Sequence, residues 1–212
     1  MNQALTPWVT SCALALALAL GACRSAPTRF YSLEETAPAT RLDAHTALSL
    51  RVDSLSVPAG WDRVEILRPA GKSLEISEFD HWSAPLREAA RQALSADLSD
   101  RLPSGSVIYP RLPKPNGASG IDVDILEFTV SESHASMQAS WVIIPGAPSP
   151  AAAPAAGPPA AGSPAAAKRD EALLQCLMSS AQPAEVVRAW SDLIGQLANH
   201  IAADIVKSQT PD

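Results

Sequence analysis

The sequence predicts an α+β fold in which an antiparallel or mixed sheet is covered on one face by two main helices. Several segments alternate apolar and polar residues, two segments place apolar residues three or four positions apart, and one segment has a hairpin signature. Alternation is typical of strands with one buried face, and a helix with a single apolar stripe buries it against such a sheet. One long Ala/Pro-rich loop is predicted to interrupt this fold.

Strands are predicted at seven places after a first strand-like segment that begins at Phe30. The hydrophobic phase shifts near Ser54 and again before Phe128, and each shift indicates a bulge or bend within a strand. The sequence Pro69-Ala70-Gly71-Lys72 is typical of a hairpin turn. The seven predicted strands cover residues 48–57, 64–68, 73–79, 107–109, 121–130, 135–143 and 172–178.

The Ala/Pro-rich segment 145–167 differs sharply in composition from the rest of the chain. It contains eleven Ala and seven Pro with no charged or aromatic residue, so we expect a disordered or polyproline-like loop. Too little chain follows it to form a second core, so we interpret it as the tip of a hairpin between the last two strands. The alternative, a partner-binding polyproline segment, is less favoured because it lacks residues that would give specificity.

Two helices are predicted, at residues 84–102 and 184–207. Ser83 is the predicted N-cap of the first helix. Pro85 is tolerated in the first turn because a backbone N–H at that position would have no hydrogen-bond partner within the helix. Each helix has one apolar stripe that we expect to pack on the sheet. The stripes consist of Leu86, Ala90, Leu94, Leu98 and Leu102, with Ala93 beside them, and of Val186, Trp190, Leu193, Ile194, Leu197, Ile201 and Ile205. The predicted polar face of the first helix consists of Arg87, Glu88, Arg91, Gln92, Ser95 and Ser99.

The chain begins with an apolar run that closes on Leu20-Gly21-Ala22-Cys23. Small residues followed by cysteine, directly after a short hydrophobic segment, are typical of a bacterial lipobox, in which the thiol accepts a lipid. The run is shorter than the roughly 20 residues of a transmembrane helix. We therefore predict a signal peptide cleaved before Cys23 and lipidation at Cys23. A secretory signal with a chance cysteine is the alternative.

The predicted organisation follows from these segments. Residues 1–22 form the lipoprotein signal peptide, residues 23–29 a lipidated tether, residues 30–207 a single α+β domain, and residues 208–212 a tail. A fully extended tether reaches only about 25 Å, so the domain must stay close to its membrane. The residue after the lipid acceptor is Arg24. An aspartate at that position would favour retention of the lipoprotein in the inner membrane, so its absence indicates that the protein is located at the periplasmic face of the outer membrane.

Charge and cysteine content exclude several classes of function. The formal net charge of −6 disfavours nucleic-acid binding, which needs a basic surface.

Cys176 is the other cysteine of the processed chain, so lipidation of Cys23 leaves no intramolecular disulfide. Leu173, Leu174, Leu177 and Met178 surround Cys176 in the sequence, and we expect a buried, inert thiol.

No catalytic or metal-binding pattern is found. The four histidines are scattered without cysteine or carboxylate at metal-ligand spacing, and no glycine loop of the phosphate-binding kind occurs. Asp80, His81 and Ser83 are the residue types of a catalytic triad, but such close neighbours in a chain cannot form one relay. We therefore expect no enzyme activity, no metal site, and no cofactor other than the covalent lipid on Cys23.

A resemblance to a known family rests mainly on residues 78–86. Their sequence Glu-Phe-Asp-His-Trp-Ser-Ala-Pro-Leu runs from a strand into a helix and resembles the E-F-D-x-W-x-x-P-L junction of PqiC-type ABC-transport auxiliary lipoproteins. Supporting segments occur in the same order, namely Arg-Phe-Tyr-Ser-Leu at 29–33, Tyr-Pro-Arg-Leu-Pro at 109–113 and the strand at 121–128. The Ala/Pro-rich insertion departs from the short hairpin loop usual in that family.

The resemblance implies a non-enzymatic subunit of an MCE-type intermembrane lipid transport system. Its partners would be an MCE-domain protein and the associated inner-membrane transporter subunits, and a homo-oligomer is compatible with that role. The alternative is a lipoprotein assembly factor for an outer-membrane component.

The corner motif, by which we mean residues 78–86, allows two interpretations. In one, Phe79 and Trp82 fill the core and Asp80 binds backbone amides. In the other, the motif contacts a partner. The residues concerned are Glu78, Phe79, Asp80, Trp82, Pro85 and Leu86.

Overall fold

The computed structural model describes residues 26–37, 49–146 and 167–209. They form eight strands and two helices, an α+β fold as predicted. The elements are β1 (Arg29–Tyr31), β2 (Leu50–Ser56), β3 (Glu65–Ala70), β4 (Ser73–Trp82), α1 (Leu86–Arg101), β5 (Val107–Ile108), β6 (Ser119–Val130), β7 (His134–Ile144), β8 (Lys168–Leu177) and α2 (Pro183–Gln209).

The strands form two sheets rather than one. The large sheet has the order β5-β2-β6-β7-β8, and the small sheet has the order β1-β4-β3. In the large sheet β2 runs parallel to β5 and β6, while β6, β7 and β8 are antiparallel to one another. In the small sheet β1 is parallel to β4, and β3 and β4 form an antiparallel hairpin. Both sheets are therefore mixed.

The bulges predicted from the hydrophobic phase are confirmed. The pairing of β2 with β6 shifts register between Val52 and Ser54, and the pairing of β6 with β7 shifts between Ile125 and Glu127. At each shift one residue has no partner on the neighbouring strand, and the apolar residues after it point to the inner face again.

The two hairpins that the sequence predicted also form. Ala70 pairs with Ser73, which leaves only Gly71 and Lys72 in the turn. Gly71 has φ +63°, a conformation that favours glycine. The β7–β8 hairpin pairs Ile143 with Lys168, so the Ala/Pro-rich segment joins these two strands. Residues 147–166 of that segment lie outside the described residues.

Both helices pack on the inner face of the large sheet, and every residue of the two predicted apolar stripes is buried. At the centre, Phe128 of β6 stacks on Trp190 of α2 at 4.1 Å between ring centroids, and Trp61 meets Phe128 edge-on at 4.6 Å. This cluster joins the sheet, α2 and the segment that leads to the small sheet in one core.

Two details of the predicted helices are wrong. Ser83 does not cap α1: the N-cap is Pro85, which makes no side-chain capping bond, and the Ser83 hydroxyl pairs instead with that of Ser32. Ser95 is fully buried rather than on the polar face, because its hydroxyl bonds to the carbonyl of Arg91 within the helix and needs no water.

Helix α2 continues to Gln209, two residues into the segment interpreted as a tail. Within the described residues, neither helix is long and apolar enough to cross a membrane. Cys23 and residues 1–22 lie outside the described residues, so the signal peptide and the lipidation site remain predictions.

Candidate functional site

The corner motif joins β4 to α1 and splits its side chains between core and surface. Trp82 and Leu86 are buried, whereas Phe79 is 37% exposed and Glu78 lies in water. Pro85 is exposed at the first turn of α1, where its ring fixes the backbone direction. Neither sequence interpretation describes the whole motif, since Trp82 belongs to the core and Phe79 does not fill it.

Asp80 is the buried acid of the motif, and it ties β1 to β4. Arg29 approaches it through Nε at 2.8 Å and through a second guanidinium nitrogen at 3.1 Å, and the Tyr31 hydroxyl donates to it at 3.0 Å. The predicted bonds to backbone amides are wrong: among the described residues, these partners are side chains from β1. The bond to Asp80 raises the pKa of Arg29. Burial, with the bond to Asp80 second, raises the pKa of Tyr31.

This arrangement has a simple structural purpose. β1 has only three residues, so its backbone pairing with β4 is short. A charge-assisted, two-pronged bond from Arg29 and a second bond from Tyr31 reinforce this short backbone ladder. The chain therefore enters the folded domain at a defined point beside the corner motif.

The N-terminal segment 32–37 continues from β1 across both helices. Thr36 donates its backbone N–H to Asp97 of α1 at 2.7 Å and its hydroxyl to the Ser191 carbonyl of α2 at 3.1 Å. The backbone N–H of Glu34 reaches the Ser191 hydroxyl at 3.0 Å. A Cβ added at Gly195 would come within 2.6 Å of the Thr36 Cβ, so the glycine permits this close approach.

Asp97 and Arg101 form a buried ion pair beneath this segment. Their closest atoms, Oδ1 and Nη1, are 3.3 Å apart, and Arg101 also donates to the carbonyl of Thr36 at 3.2 Å and to the side chain of Asn199. Burial raises the pKa of Asp97 to about 6, against the opposing effects of the Thr36 N–H and of Arg101. The sequence analysis missed this pair, although the spacing of four residues on a helix was a usable signal.

A groove of about 370 Å³ lies between segment 32–37, α1 and the loop after β5. Alanines of α1 form much of its floor, and Tyr109 and Arg111 stand at its edge. Three of the four segments that carry the family resemblance contribute to it, and the strand at 121–128 does not. The groove is lined by Ser32, Leu33 and Glu35, by Ser83 and Ala84, by Tyr109, Pro110 and Arg111, and by Ala89, Gln92, Ala93 and Ala96 of α1.

The residues of the Asp80-His81-Trp82-Ser83 sequence take part in separate contacts. Asp80 binds the side chains of β1, Ser83 binds Ser32, and His81 meets the ring of Phe30 edge-on at 5.9 Å. The geometry therefore provides no hydrolytic relay at this corner. In the part of the chain that the structure describes, no group of three or more His, Cys, Asp or Glu side chains could hold a metal ion.

Cys176 is half-buried, which is less than the sequence suggested. Its thiol faces the Ala189 carbonyl of α2, and burial raises the pKa of that thiol, so it stays protonated at neutral pH. Its neighbours Leu173 and Leu177 are exposed rather than buried, because they lie on the face of β8 that turns away from the helices.

Comparison with known proteins decides the family. The model of the family described as ABC-type transport auxiliary lipoprotein component matches residues 31–202, which include the N-terminal segment, the corner motif, all of α1 and α2 as far as Ala202. The chain belongs to this family. It is a transport auxiliary lipoprotein, as the corner motif predicted, and membrane anchoring through lipid is the property that the family name carries.

Solved structures support the fold. One crystal structure of an uncharacterized protein matches with a TM-score of 0.60 at 15% identity, covering 85% of this chain and 99% of the other. Protein XCC0632 from Xanthomonas campestris, of the DUF330 family, matches with a TM-score of 0.60 at 14% identity, covering 86% of this chain and 100% of the other. No curated protein matches the chain in sequence. At these identities the structural likeness carries the fold alone.

Proposed function

We propose that this lipoprotein is an outer-membrane-anchored subunit of an MCE-type intermembrane lipid transport system and acts as a non-enzymatic docking component. Lipidation of Cys23 would hold it at the periplasmic face, and Arg24 beside the acceptor favours outer-membrane sorting. The partners would be an MCE-domain protein and, through it, the inner-membrane transporter subunits.

The observation that carries this proposal is the groove beside α1. Of the four segments that carry the family resemblance, three that are far apart in the chain, at 29–33, 78–86 and 109–113, are brought together at this groove by the fold. The base of the groove has only small side chains from α1, those of Ala89, Ala93 and Ala96. An apolar side chain of a partner would therefore have room to enter the groove.

The edge of the groove supplies polar anchors. Arg111 and Glu35 offer one charge of each sign, and Gln92 offers an amide, so a protein backbone or a polar side chain would find partners there. This mixture of a small apolar floor and a polar edge suits a protein segment better than an acyl chain. Lipid handling is correspondingly assigned to the partner, because the apolar stripes of both helices and the inner face of the large sheet are already used in the core.

The short length of the tether supports a docking role. Between Cys23 and the start of β1 the chain spans at most about 20 Å, so the domain stays near the membrane that anchors it. A periplasm-spanning partner must therefore come to this domain, and a docking surface needs neither catalysis nor a private lipid cavity.

The test uses the lipidated full chain in the cell envelope, with site-specific crosslinking to the MCE-domain protein. Arg111→Glu reverses the charge at the groove edge, and Ala89→Gln fills part of its floor from a helix position that accepts a longer side chain. Arg169→Glu on the large sheet makes the same charge change on an exposed strand and serves as the matched control. We expect both groove variants to lose most of the crosslink while their circular dichroism and abundance match those of the control.

Two results would reject the proposal. One is full retention of the MCE-domain crosslink in folded groove variants. The other is a stoichiometric phospholipid on the purified soluble chain, residues 24–212, together with no MCE-domain partner, which would make the protein a lipid carrier. Loss of an outer-membrane assembly component in the groove variants would instead favour the assembly-factor alternative.

A further inference from the structure

The outward face of the small sheet exposes large apolar side chains next to the point where the chain enters the domain. Phe30 is 67% exposed, and it pairs with His81 across the β1–β4 ladder. Residues two apart in a strand share a face, so Phe79 lies on the same face as His81. Asp80 and Trp82 point the other way and are buried. Phe30 and Phe79 thus form a pair of exposed rings on one side of the small sheet.

The apolar surface continues along the β3–β4 hairpin. Leu74 and Ile76 are both exposed and pair with Pro69 and Leu67 across the hairpin. Ile76 and Phe79 also line a shallow cavity of about 260 Å³ together with Arg29, Arg68, Glu78 and Asp80. Arg29 is paired with Asp80 and Arg68 with Glu75, so the exposed apolar side chains are what this face offers to the headgroup region of a bilayer.

The position of the anchor determines what can cover this surface. Arg29 is six positions after Cys23, so β1 begins within about 20 Å of the lipidated residue even when that stretch is fully extended. The headgroup layer itself is roughly 5–8 Å thick on each side of the hydrocarbon core. Phe30 follows Arg29 directly, so it lies within about 25 Å of the lipidated residue and is able to reach the membrane surface.

Charge favours the same occupant. The small sheet and its approach carry four basic and five acidic side chains, a net charge of −1, whereas the whole chain has a net charge of −6. The side chains concerned are Arg29, Arg63, Arg68 and Lys72 on one hand and Asp62, Glu65, Glu75, Glu78 and Asp80 on the other. An anionic bilayer would repel the rest of the molecule more strongly than it repels this nearly neutral face.

The opposite end of the domain is out of reach. Pro183 at the start of α2 lines the small-sheet cavity, and Asp204 near its end pairs with Lys168 at the far edge of the large sheet. These two points on the helix are about 30 Å apart. Ile144 beside that far edge is 42% exposed, similar to Phe79, and it offers a matched position far from the point where the tether joins the domain.

We propose that the outward face of the small sheet, centred on Phe30 and Phe79, rests in the headgroup region of the phospholipid membrane that holds the anchor. This inference relies on the proposed anchoring at Cys23. The contact orients the domain: with the small sheet on the bilayer, α1 and α2 extend away from it, and the groove is held at a fixed height for a partner that crosses the periplasm.

The experiment places a polarity-sensitive fluorophore on the lipidated full chain. Single cysteines are introduced as Phe30→Cys, Phe79→Cys and Ile144→Cys in a Cys176→Ser background, labelled, and reconstituted into phosphatidylethanolamine/phosphatidylglycerol vesicles. We expect a blue shift and a severalfold rise in emission at positions 30 and 79, with quenching by nitroxide-labelled lipid. The label at position 144 should keep the emission of a water-exposed site and resist that quencher.

The outcomes separate this inference from the proposed anchoring. Palmitate labelling and vesicle flotation report the anchor independently for every variant. If the chain is lipidated and floats, but labels at 30 and 79 remain water-exposed, the contact is wrong and the anchor stands. A blue shift without quenching by lipid would mean that protein, either a second copy or a partner, covers this face. A chain that is neither lipidated nor vesicle-bound would reject both.

Discussion

The two sheets of this protein both bury apolar residues, but they differ in the polar residues that they bury. In the large sheet, the alternating apolar residues turn inward under the helices, and the outer face carries polar pairs such as Ser54 with Asp122, joined at 2.6 Å, with exposed leucines on the edge strand β8. In the small sheet, the apolar Ile66 and Trp82 are buried together with the polar Ser77 and Asp80, while Phe79 and Ile76 are exposed.

Both sheets contribute to the core, and the buried polar groups of the small sheet make its contribution to stability the smaller one. A sheet that buries its apolar face stabilises the domain by roughly 25 cal/mol for each square ångström removed from water. A sheet that exposes apolar side chains and buries a carboxylate gives up part of that stabilisation, which is useful when another surface covers it. The buried Ser77 hydroxyl, which has no hydrogen-bond partner among the described residues, belongs to the same sheet.

The largest expected effect tests the difference between the buried and the exposed side of the small sheet, and it contrasts two aromatic residues of the corner motif. Trp82→Ala should cost about 3–5 kcal/mol, since its ring is buried on the inner face of the small sheet. Phe79→Ser should cost only about 1–2 kcal/mol, because part of that ring is already in water. Urea unfolding of both variants followed by circular dichroism measures the difference. Equal losses would mean that the small sheet has no outward face distinct from the core.

A second prediction compares the buried and the exposed aspartates of the two sheets. Asp80→Ala should cost about 1–3 kcal/mol, because the Tyr31 hydroxyl loses a partner and β1 loses its main attachment. Asp122→Ala, whose bond to Ser54 is solvent-exposed, should cost only a few tenths of a kcal/mol. Amide exchange localises the effect, with β1 expected to lose protection while β6 keeps it. Unchanged protection of β1 in Asp80→Ala would contradict the assigned role.

The third prediction concerns pH and the segment that leaves the small sheet. Asp97 has a pKa of about 6 in the fold, above its ordinary value of 3.8, because it is buried. Its contribution to stability is therefore fully present below about pH 4 and is lost as the pH rises through about 6. Relative to Asp97→Asn, which does not titrate, the wild type should lose a few degrees of melting temperature between pH 4 and pH 7.

The charged groups near Asp97 are Arg101 and Glu35, so Glu35→Gln is the control for this titration. Melting curves at low salt should give parallel profiles for wild type and Glu35→Gln, and a flatter profile for Asp97→Asn. A wild-type profile as flat as that of Asp97→Asn would show that burial does not perturb this carboxylate.

The smallest effect is expected at the far edge of the large sheet. Deleting residues 147–166 should shift the melting temperature by only a few degrees, because the β7–β8 ladder already joins at Ile143 and Lys168 and a shorter loop costs less entropy to close. Differential scanning calorimetry measures this. A collapse of stability would show that the insertion packs on the domain, and lost partner binding at full stability would favour the polyproline interpretation.

Much of the fold follows from the sequence because its signals are local. The bulges at Ser54 and before Phe128, the turn at Gly71 and both helix stripes were predicted from periodicity and turn chemistry alone. The corner motif was located correctly, and it led to the family. The roles within the motif were not predicted, because a strand residue's exposure depends on which sheet it joins and what covers that sheet.

What the sequence determined by itself is the set of elements, the order of their pairing in the hairpins, and the lipoprotein family. Only the tertiary structure decided that the strands divide into two sheets, that β1 joins β4 in parallel, and that Asp80 binds Arg29 and Tyr31 from a segment about fifty residues earlier. It also decided that Asp97 and Arg101 are buried beneath Thr36. Periodicity within a segment fixes which side chains share a face, whereas long-range packing fixes which face meets water, and that second choice sets both the groove and the exposed rings of the small sheet.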